Sequence, residues 1–106
     1  MRPIKRLLIN FISRLLFLVD IKGESGWPFL VPGKQYLASN VVSPKVGDFV
    51  VFRNPHDSAQ ILVKRVAAVR GDRYRVESMV SWGTSSDDFG LIERERVIGK
   101  IITQNL

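Results

Sequence analysis

The chain has 106 residues, with 16 Lys and Arg against 10 Asp and Glu, 45% hydrophobic residues and no cysteine. That length holds one domain and excludes large multidomain enzymes and doubly wound nucleotide-binding folds. The absence of thiols excludes disulfides, thiolate zinc sites, iron–sulfur clusters and cysteine nucleophiles, leaving the net charge of +6 as the first clue to a partner.

That charge is unevenly placed. Residues 1–22 hold Arg2, Lys5, Arg6, Arg14 and Lys22 against Asp20, so most of the excess sits at the start of the chain. A nucleic-acid-binding domain carries its basic face across the folded body. Here the body is nearly balanced, so no nucleic-acid partner is expected. A basic excess on a short hydrophobic segment points instead to a membrane surface.

Residues 4–21 read IKRLLINFISRLLFLVDI. Arg6, Asn10, Ser13 and Arg14 form a narrow polar stripe at helical spacing, and the rest is a wide apolar face, so the pattern predicts an amphipathic helix over residues 1–22. Three dispositions are open: a helix lying in the headgroup region, a short spanning anchor with Arg2, Lys5 and Arg6 on the cytoplasmic side, and a helix packed on its own domain. The first fits best. The stretch falls short of the roughly 20 apolar residues a bilayer requires, and Arg14 near its middle is expensive there. No small-x-small cleavage site follows, which argues against a cleaved signal peptide.

After Lys22 the pattern turns from helical to extended. Residues 23–33 hold three Gly and two Pro and form a chain of turns. Short runs rich in Val, Ile, Phe and Tyr follow at 36–42, 49–53, 61–69, 74–79 and 97–103, punctuated by Gly47-Asp48, Asn54-Pro55 and Gly71-Asp72. The expected fold is mainly β: a small barrel or coiled sheet over residues 23–106, behind one N-terminal helix.

Candidate chemistry is sparse. His56 sits in the turn Asn54-Pro55-His56-Asp57, where adjacent Asp57 is badly placed to orient it as a base. One His with scattered carboxylates gives no metal-ligand spacing. Asp87-Asp88 in a Ser-rich loop reads as a solvated turn. Ser25 differs, lying between Gly23 and Gly26 and followed by Trp27-Pro28-Phe29-Leu30. Glycines beside a nucleophile let the backbone turn sharply and a substrate carbonyl approach, with amides directed at a developing oxyanion. Lys64 is the second feature. On a strand it shares a face with Leu62, Val66 and Ala68. The mundane reading is an edge lysine covering apolar surface with its stem. The sharper one is a desolvated amine, neutral near physiological pH and able to act as a base beside a serine.

In order along the chain, these segments resemble the type I signal peptidases and their relatives, Ser-Lys endopeptidases that share a β fold with the self-cleaving SOS repressors. Residues 23–30 resemble the nucleophile block, usually Gly-x-Ser-Met-x-Pro-x-Leu. Gly47-Asp48-Phe49-Val50-Val51-Phe52-Arg53-Asn54-Pro55 resembles the strand that follows, and Lys64-Arg65-Val66 with Gly71-Asp72 the general-base block. Ser85-Ser86-Asp87-Asp88-Phe89-Gly90 is similar to the last block, usually Asp-Ser-Arg-x-Phe-Gly, and Val97-Ile98-Gly99-Lys100 to the closing strand. The resemblance implies Ser25 as nucleophile, Lys64 as general base, an oxyanion hole from Ser25 with Gly23, a lysine-orienting hydroxyl at Ser86, and substrate contacts at Gly26, Trp27 and Phe29. Gly26 stands where the family has Met, and Ser85 and Asp87 replace the acid and Arg of the last block.

The activity so implied is a membrane-associated serine endopeptidase that cleaves a signal or leader peptide from a precursor protein without metal or cofactor. Its core would lie on the extracytoplasmic side of the cell membrane, held at the surface by residues 1–22. The alternative is a catalytically inactive relative that binds peptides or partners. A self-cleaving repressor is disfavoured, because the residues ahead of Ser25 are too few and too hydrophobic for a helix-turn-helix. An RNA-binding β-barrel is disfavoured by the balanced body.

Overall fold

In the computed structural model, which describes residues 16–103, period-two alternation on three strands organises the core. The strands are β1 (Leu16–Asp20), β2 (Gln35–Ser39), β3 (Phe49–Asn54), β4 (Asp57–Arg70), β5 (Arg73–Glu77), β6 (Ile92–Glu93) and β7 (Val97–Ile101). One helical turn, α1 (Ser86–Phe89), separates β5 from β6. The strands form a single sheet in the order β1-β2-β7-β3-β4-β5-β6, and every described pairing is antiparallel.

Successive side chains on a strand point to opposite faces. Val50 and Phe52 on β3, Leu62 and Val66 on β4, and Tyr74 and Val76 on β5 therefore gather on one face, which Phe89 of α1 and Ile92 close. Phe52 and Phe89 meet with ring centroids 5.9 Å apart. Phe49 and Val63 point the other way and join Val19, Tyr36 and Ile101 under Ile21 and Leu30. The turn-rich segment after β1 is thus a lid on the second face. Its base is closed by Gly33 N–H donating to the Ile21 carbonyl at 2.7 Å and Ile21 N–H donating to the Lys34 carbonyl at 3.0 Å. The buried Tyr36 hydroxyl accepts from Val31 N–H at 2.9 Å and pins the lid from below.

The expected helix at the N-terminus is corrected where the structure describes it. Residues 16–20 are strand, paired with β2 from Leu16↔Ser39 to Asp20↔Gln35. A short continuous apolar run fits a buried strand and a helix equally well; here the β2 edge supplies hydrogen-bond partners that a helix would not use. Phe17 then lies so close to β7 that a Cβ on Gly99 would come within 2.8 Å of its ring and of the Ser39 carbonyl. Only glycine allows that approach. The rest of the expected helix, residues 1–15, lies outside the described residues. Among the described residues, no helix is long and apolar enough to cross a membrane.

The mainly β expectation holds, and its turn signals mark real turns. Gly71-Asp72 joins β4 to β5 in a two-residue hairpin (Arg70↔Arg73) with Gly71 at φ +66°. Asn54 Oδ1 accepts from His56 N–H at 2.9 Å, which leaves His56 exposed at the β3–β4 turn.

Candidate active site

The site forms where β4 outruns β5. Pairing between these strands starts at Arg65↔Glu77, so the β4 edge from Ile61 to Lys64 extends beyond the end of β5. The lid enters this gap. The Ser25 hydroxyl donates to the carbonyl of Val63 at 3.1 Å, and the next residue is Lys64. Ser25, Gly23, Glu24, Gly26 and Leu30 share one open cleft of about 410 Å³ with Val63 and Lys64. The sequence separates Ser25 and Lys64 by two strands and two turns; the sheet brings both onto this cleft.

The lid is held by hydrogen bonds on both sides of the serine. Met79 N–H donates to the Ser25 carbonyl at 2.6 Å, and Ser78 Oγ donates to the same oxygen at 3.4 Å. Leu30 N–H donates to the Gly26 carbonyl at 2.8 Å. Among the described residues, the Ser25 N–H makes no hydrogen bond. An amide in that position is suited to hold an oxyanion.

Lys64 is 5% exposed, on the face shared with Leu62 and Val66, and a bulge between Val66 and Ala68 ends that alternation. Burial strips water from its amine and pushes the pKa below the usual 10.5, while the Asp88 carboxylate opposes the shift. Desolvation disfavours the ammonium form, so the environment favours a neutral amine at lower pH than a surface lysine would allow.

Gly26 explains its own departure from the family pattern. A Cβ there would lie 2.8 Å from Leu30 Cβ and 2.9 Å from Leu30 Cδ1. Leu30 is 3% exposed and occupies the volume that a larger residue at position 26 would take. The other expected substrate contacts fall elsewhere. Trp27 is half-exposed and does not line the cleft, and Phe29 faces a second groove of about 600 Å³, where its ring lies 6.2 Å from Phe49. Gly23 does line the cleft.

Ser86 is buried at the start of α1, and its hydroxyl accepts from Val76 N–H at 2.9 Å. Among the described residues it forms no hydrogen bond with Lys64. The rest of the altered last block is put to structural use. Ser85 and Asp88 make a reciprocal capping box at the start of α1, and Asp87 pairs with Arg75 of β5 at 2.7 Å. An acid–Arg pair therefore exists here with different partners.

Sequence reasoning missed two features. One is the segment carrying Ser78 and Met79, whose ordinary composition offers no signal until the β4–β5 register is known. The other is the ion pair between Lys100 Nζ and Asp48 Oδ2 at 2.9 Å, largely screened from water; Asp48 Oδ2 also accepts from Lys45 N–H at 2.9 Å. It ties the loop before β3 to β7, at the edge of the second groove.

Comparison with known proteins identifies relatives of this chain. The family model described as signal peptidase, peptidase S26, matches residues 4–80. Signal peptidase I of Buchnera aphidicola subsp. Baizongia pistaciae (strain Bp) is 34% identical over 85 residues, covering 63% of this chain and 27% of that protein. The chain thus spans little more than a quarter of that curated relative's length.

Proposed function

The chain belongs to the signal peptidase family, peptidase S26, and from that premise we propose that it is a serine endopeptidase that removes a leader segment from a precursor protein, with Ser25 as nucleophile and Lys64 as general base. The carrying observation is the Ser25 hydroxyl bonded to the Val63 carbonyl, one residue from a buried lysine with a depressed pKa, on a shared cleft.

The chemistry follows from those positions. Neutral Lys64 takes the Ser25 proton as Oγ attacks the scissile carbonyl. The Ser25 amide, with Gly23 beside it, holds the tetrahedral oxyanion. Protonated Lys64 passes its proton to the leaving nitrogen, and water then releases the acyl group. An extended substrate would add along the β4 edge from Ile61 to Lys64, the segment beyond the end of β5, by strand addition. Association of the basic, apolar segment ahead of β1 with a membrane would raise the effective concentration of precursors tethered to the same surface.

The test is labelling of the full chain with an activated β-lactam, an electrophilic acyl probe, together with cleavage of a membrane-tethered precursor. Ser25→Ala and Lys64→Ala should each lose both activities while still unfolding in one cooperative transition. A chain that binds peptide yet leaves Ser25 unmodified is the inactive relative instead.

A further inference from the structure

The hydroxyl expected to orient the lysine, Ser86, is engaged with Val76 N–H. Another hydroxyl is better placed. The β4–β5 ladder runs Val66↔Val76, then Arg65↔Glu77, and ends there, so Lys64 and Ser78 are the residues one step past its last pair. Alternation gives Lys64 the face of Val66, and an extended backbone continued one residue past Glu77 gives Ser78 the face of Val76. Those two faces are one, because Val66 and Val76 pack in the same cluster. Ser78 also touches the nucleophile loop, donating to the Ser25 carbonyl at 3.4 Å, and accepts from Val80 N–H at 3.2 Å. Gly83 lines the cleft, and a Cβ there would run into Ser78 Oγ and Cβ. The Ser78 hydroxyl therefore fills the space that a side chain at position 83 would occupy.

We propose that Ser78 is the positioning residue of the Ser25–Lys64 pair, with its hydroxyl tied to the backbone of one member and brought to the amine of the other just past the end of the ladder. This role rests on the Ser-Lys reading above. A serine hydroxyl offers one donor and two acceptor sites. The Ser25 carbonyl takes the donor and Val80 N–H one acceptor site. The remaining lone pair accepts an N–H from the Lys64 amine, which turns that nitrogen's own lone pair toward Ser25. The charged groups around the amine are Asp88 of α1, Arg65 and Glu77 beside it on the ladder, and Asp20, Lys22 and Glu24 across the cleft. Substitution of Ser78 leaves all of them in place.

The experiment measures the rate of acylation of the full chain by the β-lactam probe across pH. Ser78→Ala should lower the plateau rate by up to about 100-fold, the scale of a misplaced reacting group. It should also move the acid limb to lower pH, because the ammonium form loses an acceptor that favours it. Ser78→Cys, which keeps a weak donor and acceptor, should fall between the two. Native plateau and native limb in Ser78→Ala overturn the role, as does an equal limb shift in Ser86→Ala. Lys64→Ala labelled at the native rate removes the Ser-Lys reading and this role with it. Loss of labelling in Lys64→Ala alongside native behaviour in Ser78→Ala overturns this role alone.

Discussion

The Ser25 hydroxyl donates to the carbonyl of Val63, so the candidate nucleophile is anchored one residue short of Lys64 on the same strand edge. At rest its proton is held by a backbone oxygen. In the proposed reaction that proton passes instead to the Lys64 amine, which must then be neutral.

Neutrality sets the first prediction. The working form is the unprotonated amine, so acylation of Ser25 should rise with pH through the lowered Lys64 pKa and level off below 10.5. Lys64→Arg, always charged, should lower the rate on the order of 10²–10⁴-fold, the usual contribution of a positioned base. A pH–rate profile of both proteins decides the matter; an Arg variant with native rates rules out the lysine as base.

Stability should follow the same group with a defined sign. Lys64 has a lower pKa folded than unfolded, so between those values the unfolded chain binds more protons. Stability should therefore increase as pH climbs from the depressed pKa toward 10.5. Lys64→Met should flatten that slope and raise stability at neutral pH, where the buried ammonium is penalised. Urea unfolding at several pH values measures both effects, and a parallel slope in the Met variant would contradict the burial argument.

Restoring the family's methionine should harm this chain. Gly26→Met forces Leu30 from its place, and overpacking of this kind costs about 1–3 kcal/mol. Adding Leu30→Ala to Gly26→Met should destabilise by less than the sum of the single changes, because the two side chains compete for one volume. Thermal melts of the three variants give the coupling, and strict additivity would show that the two positions are independent.

The Asp48–Lys100 pair should matter to folding more than its exposed counterpart does. Lys100→Met strands a carboxylate that also caps the Lys45 amide and should cost about 3 kcal/mol, in line with broken buried pairs. Asp87→Asn, at a solvent-screened ion pair with Arg75, should change stability far less. Denaturation midpoints of the two variants test the ranking.

Much of this is written in local pattern. The short β-branched and aromatic run Phe49-Val50-Val51-Phe52 lies between the turn signals Gly47-Asp48 and Asn54-Pro55, and Gly71-Asp72 closes a hairpin, so these segments read as strands from nearby residues. The Gly-flanked Ser25 and the lysine on an apolar strand face stand out for the same reason: each breaks a local rule that a merely structural segment would keep. Leu16 to Asp20 behaves otherwise. Its apolar run suits helix or strand, and the β2 edge, encoded fifteen residues later, makes the choice.

Local pattern suffices for the extended segments after residue 34, for the face of β4 that holds Lys64, and for the turning loop that carries Ser25, because these depend on residues within a few positions of one another. Tertiary contacts set the rest: Leu30 fills the space beside Gly26, Ser86 serves the Val76 amide, and Ser78 meets the Ser25 carbonyl. Those outcomes depend on register and on volumes shared between distant segments, and no local pattern encodes either.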